Sequence, residues 1–207
     1  MKAAFLKKIA NGSIMGLLET NVSTEEMLKS LDWEKSELDG FYKLQSEKKK
    51  KEWLGVRLLL KEIFENQSFD LNYNDQGKPF LTDLSYHISI SHSGKYVCIL
   101  TNQKLEVGVD IQVFKSNIEK GTELFMSEKE LKDCTEKINS NILHVYWGAK
   151  ESIYKLIGLK DTNIKTDIYI SPFDFRNFGQ IRGKYKNSKL IKLNYELSDE
   201  YVLVYTC

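Results

Sequence analysis

The spacing of apolar residues predicts one long amphipathic helix in the first half of the chain. Between about Glu47 and Glu65 the large apolar residues fall on one helical face: Trp53, Val56, Leu60, Ile63 and Phe64. This helix begins with a basic run, Lys48 to Lys51. It is therefore expected to pack by one stripe and to expose a cluster of positive charge at its start.

The middle of the chain alternates between turn-rich and strand-like patterns. Residues 72–79 predict a loop, because Gly77 permits a tight bend and Pro79 biases Lys78 towards an extended shape. Apolar and polar residues alternate over 86–90, which predicts a strand. We expect a turn over 91–94, a returning strand over 96–100 and a further strand over 105–113.

The second half predicts helices followed by strands. Ser127 and Glu130 have the spacing of a capping box at the start of a helix. A stronger helix is predicted over 142–156, and strands over 165–170, 183–186, 189–195 and 201–205. Both halves combine helix and strands, which indicates an α+β fold. We place an N-terminal half at residues 1–106 and a C-terminal half, with the metal and catalytic motifs described below, at residues 107–207.

Composition limits the partners and the location. The chain has 30 Lys+Arg against 29 Asp+Glu in 207 residues, a balance that argues against a general nucleic-acid binder. The three cysteines, Cys98, Cys134 and Cys207, include no CxxC pair, so neither zinc nor disulfides are implied. Because no signal peptide or membrane-spanning run is visible, we expect a reduced, cytoplasmic protein with no membrane partner.

Asp110 lies in an otherwise apolar strand. Val107, Val109 and Ile111 share one face of that strand, and Asp110 lies on the other. Burying a lone carboxylate is costly unless its charge is compensated, and a divalent cation with oxygen ligands would compensate it. An exposed aspartate on an edge strand, or an aspartate paired with a lysine, fits the same pattern.

The helix over 142–156 places Glu151 and Lys155 one turn apart, in line with Trp147. A pair with this spacing is often only a surface salt bridge. The same geometry also suits chemistry, with Glu151 ligating a metal or accepting a proton and Lys155 meeting a phosphate.

Two segments could contact phosphate oxygens. Lys78 lies in the predicted loop, and His92 lies in the Ser-His-Ser-Gly segment over 91–94. Neither segment is a P-loop, because the GxxxxGK[ST] motif is absent. A turn histidine that only hydrogen-bonds the backbone is an equal alternative for His92.

Four short motifs occur in one order: GKP at 77–79, ISHSG at 90–94, GVDI at 108–111 and WGAKESIYK at 147–155. This order resembles the 4'-phosphopantetheinyl transferase superfamily, in particular its larger single-chain type, which activates the carrier proteins of peptide, polyketide and fatty-acid synthases. The gap of about forty residues between the last two motifs, with Asp110 and Glu151 inside them, also fits that family. The resemblance covers the centre of the chain, and the two ends match only in general character.

The resemblance implies two similar α+β halves related by a pseudo-twofold axis, with coenzyme A in the cleft between them. It implies a magnesium-dependent enzyme, in which Asp110 and Glu151 ligate the metal. Glu151 would also activate the carrier serine, and Lys155 would offset charge on the transferring phosphate or protonate the leaving group. Contacts to the phosphates of coenzyme A would come from Lys78, Ser91 and His92.

The resemblance also assigns two residues of the long N-terminal helix. Lys48 is the best candidate for a basic residue that meets the 3'-phosphate of coenzyme A, although the basic run leaves the register open. Arg57 fits a recurrent arginine of the family and would support the structure or contact the ligand.

Gln112 departs from the family pattern, because many relatives have Glu two residues after the Asp. An amide oxygen can ligate a hard cation but brings no charge, so the preference for magnesium or manganese is affected. We expect Gln112 to face the metal site, as a ligand or through a water molecule.

The resemblance therefore favours a monomeric transferase that modifies an apo acyl or peptidyl carrier protein. A catalytically silent module of the same fold that binds coenzyme A or a carrier protein is an alternative, supported only by Gln112. A metal-dependent phosphohydrolase of unrelated fold would need more acidic or histidine ligands than the three scattered histidines, at 87, 92 and 144, provide.

Overall fold

A computed structural model describes residues 5–30, 33, 35–82, 84–134 and 138–207. Within these residues the strands form two antiparallel sheets, one of six strands and one of five. The six strands of the first sheet come from the first 102 residues, and the five strands of the second come from residue 109 onwards. The combination of two antiparallel sheets with helices confirms the predicted α+β class.

The first sheet has the strand order β1-β2-β6-β5-β4-β3. Its strands are β1 (Phe5–Lys8), β2 (Ile14–Glu19), β3 (Leu71–Tyr73), β4 (Pro79–Leu81), β5 (His87–Ser93) and β6 (Tyr96–Asn102). Three helices accompany them: α1 (Thr24–Lys29), α2 (Lys35–Tyr42) and α3 (Glu47–Ile63). The predicted helix over 47–65 is confirmed as α3, whose apolar stripe, including Leu54, Leu59 and Leu60, is buried in the core of this half.

The second sheet has the order β7-β11-β10-β9-β8. Its strands are β7 (Val109–Val113), β8 (Ile168–Ile170), β9 (Phe178–Tyr185), β10 (Ile191–Leu197) and β11 (Tyr201–Thr206). A 3-10 turn (Ile118–Gly121) and four helices complete this half: α4 (Thr122–Phe125), α5 (Glu128–Asp133), α6 (Ser140–Ile157) and α7 (Ile164–Asp167). Helix α6 lies close on the sheet, since a β-carbon at Gly148 would come within 2.8 Å of a Val204 methyl group.

Hydroxyl groups of β5 join the two sheets. The Oγ atoms of Ser89, Ser91 and Ser93 accept hydrogen bonds from the backbone N–H groups of alternate residues of β7, at 3.0, 3.1 and 3.0 Å. Since β7 is an edge strand of its own sheet, these hydroxyls satisfy amides that have no strand partner on that side. A shared apolar cluster, which includes Met15, Cys98, Val109, Ile111 and Leu203, fills the space between the sheets.

The prediction of a loop over 72–79 was wrong in part. These residues belong to the hairpin of β3 and β4, and only the turn between the strands is irregular. The side-chain Oδ1 of Asn74 accepts hydrogen bonds from the N–H groups of Gln76 and Lys78, and Gly77 has φ +79°. These local bonds close a tight turn, so the flanking residues remain extended.

The predicted turn over 91–94 was also misplaced. Strand β5 continues through Ser93, and the bend falls at Gly94, which has φ +57°. Ser91 and His92 therefore lie on a strand, with their side chains on opposite faces.

Other strand boundaries differ as well. Strand β9 begins at Phe178 instead of 183, because it pairs with β10 from Phe178 onwards, and β10 runs over Ile191–Leu197 instead of 189–195. The strand predicted over 105–113 begins at Val109, because Asn102 Oδ1 accepts hydrogen bonds from the backbone of Lys104 and Leu105 and holds a turn there. Residues 165–167 belong to α7, because Asn163 caps a helical turn before β8. The capping box of Ser127 and Glu130 is confirmed.

The division at residues 106 and 107 falls between β6 and β7. This division and the pseudo-twofold relation stay predictions. Of the helices in the described ranges, none combines the length and apolar character needed to cross a membrane.

Candidate active site

Asp110 is buried at the junction of the two sheets, with only 2% of its surface exposed. Its Oδ1 accepts hydrogen bonds from Ser91 Oγ at 2.8 Å and from Lys155 Nζ at 2.6 Å. Its Oδ2 accepts one from Gln112 Nε2 at 3.0 Å. Asp110 is therefore not an exposed edge residue, and its compensating charge in this structure is Lys155.

Helix α6 brings Glu151 and Lys155 to this carboxylate. Lys155 Nζ also donates to the backbone oxygen of Val109 at 3.1 Å. A β-carbon at Gly108 would overlap the carbonyl oxygen of Ser152, so glycine is what allows the strand to approach the helix this closely. Ser152 Oγ donates to the backbone oxygen of Val204 at 2.9 Å and fixes the helix to the sheet.

Glu151 carries an unfavourable charge in this setting. Burial, together with the negative charge of Asp110, raises its pKa from the ordinary value of 4.5 to about 7, and Lys155 offsets only part of the rise. Among the described residues no basic nitrogen lies within 4 Å of its carboxylate, because Lys155 is directed to Asp110. The interpretation of Glu151 and Lys155 as a surface salt bridge is therefore wrong.

The carboxylates of Asp110 and Glu151 fit a divalent cation. Asp110 is buried and Glu151 is half-buried, their negative charges repel each other, and hard cations prefer oxygen donors of this kind. Gln112 lies against Asp110, to which its Nε2 donates, and its neutral amide oxygen is a candidate third ligand; its role at a metal site stays a prediction. In the described part of the chain no group of three or more His, Cys, Asp or Glu side chains could hold a metal, so any ion would depend on this smaller set.

A cavity of about 270 Å³ opens beside these residues, between the β3–β4 hairpin and the end of α6. It is lined by Lys78, His92, Tyr154 and Lys155, among others. Three of the basic residues selected from the sequence are thus brought to one cavity. A space lined by basic side chains favours an anionic ligand.

Lys78 has one partner at the end of α6 and one in the segment before β7. Its Nζ donates to the backbone oxygen of Leu156 at 2.8 Å and pairs closely with Glu106. A lysine at the C-terminal end of a helix satisfies carbonyl groups that lack partners within the helix. Lys78 therefore joins the hairpin of the first sheet to the main helix of the second half.

His92 pairs with Glu52, a residue that does not line the cavity. Its Nδ1 lies 3.2 Å from Oε1 of Glu52 in α3. Burial lowers the pKa of His92, Lys49 and Lys155 lower it further, and the charge of Glu52 opposes them.

Three other predicted residues lie outside the cavity. Ser91 is buried, and its hydroxyl is used by Asp110 and the backbone of Ile111. Lys48 is exposed, with Nζ 3.9 Å from Glu52. Arg57 lies over the ring of Trp53, 3.6 Å from its centroid. None of these three lines the cavity.

Sequence reasoning missed Glu52, Glu106 and the serines of β5 as a set. Glu52 and Glu106 lie in polar segments where nothing marks them from other exposed acids. The serines did carry a signal, because Ser89, Ser91 and Ser93 recur with the two-residue period of one strand face.

Residues 106–206, which include β7, α6 and the whole second sheet, match the model of the 4'-phosphopantetheinyl transferase superfamily. This part of the chain is similar to that superfamily. The resemblance of the motifs to 4'-phosphopantetheinyl transferases is thereby confirmed, and the matched segment contains Asp110, Gln112, Glu151 and Lys155.

A protein of Synechocystis sp. (strain ATCC 27184 / PCC 6803 / Kazusa) with the name "Putative 4'-phosphopantetheinyl transferase" is 30% identical over 115 residues. The match covers 51% of this chain and 47% of that protein, so the chain spans about half the length of this transferase relative.

Proposed function

We propose that this chain transfers the 4'-phosphopantetheine group of coenzyme A to a serine of an apo acyl or peptidyl carrier protein. The products are the holo carrier protein and adenosine 3',5'-bisphosphate. One observation carries the proposal: Lys155, which is bonded to Asp110 and lies one turn from Glu151, lines a cavity together with Lys78 and His92.

Glu151 is proposed as the base. A carboxylate whose pKa is raised to about 7 can accept a proton near neutral pH. It takes the proton of the carrier serine, directly or through a water molecule. The serine oxygen then bonds to the phosphorus next to the pantetheine arm, and the bond from that phosphorus to the bridging oxygen breaks. The electron pair leaves with adenosine 3',5'-bisphosphate.

A magnesium or manganese ion would be held by Asp110 and Glu151, with Gln112 as a neutral oxygen donor or a partner through water. When bound, the ion supplies positive charge across the diphosphate. Asp110 is oriented for this role by Ser91, whose hydroxyl is bonded to Oδ1. Two protein carboxylates can suffice, because magnesium keeps several water ligands.

The basic residues are proposed to bind the phosphates of coenzyme A. Lys155 offsets charge that develops on the transferring phosphate or on the leaving group, and Lys78 and His92 contact the diphosphate region. Lys48, at the exposed start of α3, is proposed near the 3'-phosphate, and Arg57 supports that helix through its contact with Trp53. The enzyme is proposed to act as a monomer, since both parts of the site lie on one chain.

Intact-mass spectrometry of an apo carrier protein incubated with this chain, coenzyme A and magnesium tests the proposal. The expected result is a gain of one phosphopantetheine that disappears when the metal is chelated. No gain across fatty-acid, polyketide and peptide carriers, with magnesium or manganese, would contradict a transferase. Binding of coenzyme A without transfer would then favour the silent binding module, for which the neutral Gln112 beside Asp110 is the supporting feature.

A further inference from the structure

Glu52 is an acidic residue at the centre of the basic group beside the cavity. It lies in the second turn of α3, and only 11% of its side chain is exposed. Its Oε2 lies 3.0 Å from Lys49 Nζ, and its Oε1 lies 3.2 Å from His92 Nδ1 and 3.9 Å from Lys48 Nζ. One carboxylate is thus surrounded by three potential anion-binding groups.

The surrounding groups are more exposed than Glu52. The exposed fractions of the side chains are 71% for Lys48, 61% for Lys49 and 40% for His92. The lysines and the histidine can therefore bind a ligand that approaches from solvent, while the less exposed Glu52 pairs with them on the protein side. Ion pairs of this exposure are weak, so a ligand with a higher charge density can replace the carboxylate as their partner.

The position of His92 connects this group to the cavity. Its ring is held on one side by Glu52 and also lines the space shared with Lys78 and Lys155. An anionic ligand that fills the cavity and extends past His92 meets Lys49 and Lys48 next. Coenzyme A has the charge distribution to do so, with a diphosphate and a separate 3'-phosphate.

We propose that Glu52 is a specificity-determining residue of the coenzyme site: its carboxylate occupies the place between Lys49 and His92 that the 3'-phosphate of coenzyme A takes on binding. Glu52 competes internally with that phosphate. This inference rests on the proposed function, because it assumes that the cavity binds coenzyme A. Its consequence is a moderated preference for coenzyme A over dephospho-coenzyme A, which lacks the 3'-phosphate.

The variant Glu52→Gln tests the inference, because it removes the competing charge and keeps the shape of the side chain and one of its two acceptor oxygens. The KM for coenzyme A is expected to fall by about fivefold, with the KM for dephospho-coenzyme A unchanged. Binding of adenosine 3',5'-bisphosphate, measured by calorimetry, is expected to tighten by the same factor. The calorimetric readout is independent of turnover.

Glu47→Gln is the matched control. Glu47 is in the same helix and also pairs with a lysine, Lys50 at 3.2 Å, but has no contact with Lys48, Lys49 or His92 in the described structure. It is expected to leave the ratio of the two KM values unchanged. An equal change of that ratio in both variants would mean that the loss of any negative charge on α3 has the same effect, which would overturn the inference.

A rise in the KM for coenzyme A in Glu52→Gln would also overturn it, because Glu52 would then only hold His92 and Lys49 in place. An equal shift for both donors would do the same. Phosphopantetheine transfer by the unmodified chain is scored separately, so either of these results leaves the proposed function standing. If the unmodified chain binds neither coenzyme A nor the bisphosphate, the inference and the assumed coenzyme site both fail.

Discussion

Lys155 Nζ lies 2.6 Å from Oδ1 of Asp110, so a helix of the second half and its edge strand meet through one ion pair at the end of the cavity. The pair leaves Glu151, one turn earlier on the same helix, without a basic partner within 4 Å in the described residues. The helix therefore presents one compensated and one uncompensated charge to the same site. This asymmetry suits a lysine that binds phosphate and a carboxylate that accepts a proton or ligates a cation.

Glu151→Gln is expected to abolish phosphopantetheine transfer and to leave the fold intact, because the amide can neither accept the proton nor supply ligand charge. Intact-mass spectrometry measures transfer, and circular dichroism checks the fold. Glu128→Gln, an exposed acidic residue in the first turn of α5, is the control. Near-normal turnover of Glu151→Gln would remove Glu151 from its assigned role.

The same variant should be more stable than the unmodified chain at alkaline pH. A carboxyl whose folded pKa is raised from 4.5 to about 7 destabilises the folded state when it ionises. The penalty is absent below about pH 4.5, grows up to about pH 7 and is complete above it. Without metal, Glu151→Gln should gain about 2 kcal/mol in the free energy of unfolding at about pH 8 and almost nothing at about pH 4.5. Urea unfolding at both pH values measures this, and equal stabilities at about pH 8 would contradict the burial of a charged Glu151.

Magnesium should stabilise the chain more at about pH 8 than at about pH 5.5, because a carboxylate must lose its proton before it can ligate a cation. Thermal unfolding with and without the ion measures the difference. Asp110→Asn should lose the magnesium-dependent rise in melting temperature. A rise that is independent of pH and survives in that variant would place the ion elsewhere.

Lys155→Ala should slow the chemical step more than it weakens coenzyme A binding. The ammonium group lies at the reacting end of the cavity, and kcat is expected to fall by about 100-fold with less than a fivefold change in KM, since such groups act mainly on developing charge. Lys132→Ala, on the exposed side of α5, removes the same charge as a control. A defect in KM alone would assign Lys155 to ground-state binding.

Ser91→Ala and Ser93→Ala form a matched pair on one strand. Each variant leaves one amide of β7 without its hydroxyl partner, which should cost about 1 kcal/mol of stability. Only Ser91 also donates to Asp110, so only Ser91→Ala should lower turnover, by about tenfold. Denaturant unfolding and initial rates on both variants separate the two effects. Equal turnover would mean that Ser91 does not orient the carboxylate.

Glu130→Gln should destabilise the second half strongly. Glu130 and Lys150 are both fully buried and lie 2.8 Å apart, and Glu130 also accepts hydrogen bonds from the backbone of Ser127 and Ile170. Removing one partner leaves a buried lysine uncompensated, at a cost of about 3 kcal/mol. The exposed pair of Glu25 and Lys29 is the contrast, and Glu25→Gln should cost less than about 1 kcal/mol. Similar losses in the two variants would contradict the difference in burial.

The centre of the candidate site could be selected from the sequence because Asp110, Glu151 and Lys155 lie in continuous motifs; the roles assigned to them stay predictions. Asp110 was conspicuous in an apolar strand, and Glu151 and Lys155 were related by helical spacing, so local pattern was enough. The local sequence does not determine whether Lys155 pairs with Glu151 or with Asp110. That choice depends on how closely β7 approaches α6, which Gly108 permits.

The surroundings of the centre were harder to predict for the same reason. The contact of Glu52 with His92 joins residues 40 positions apart, on a helix and a strand of the first half. His92 itself was placed in a turn because Gly94 and the serines around it are turn formers, yet pairing with β6 keeps the segment extended. Tertiary pairing outweighed local propensity at these positions.

The serine hydroxyls of β5, at Ser89, Ser91 and Ser93, make the candidate site depend on both sheets. Ile88 and Ile90 alternate with the serines of this strand, so a slip of one position would present these two apolar side chains to β7 and leave the amides opposite them without acceptors. The same slip would take Ser91 away from Asp110. A chain in which only the second half has folded therefore has its acidic residues but not their alignment, and activity should appear during refolding only when the two sheets have docked in register.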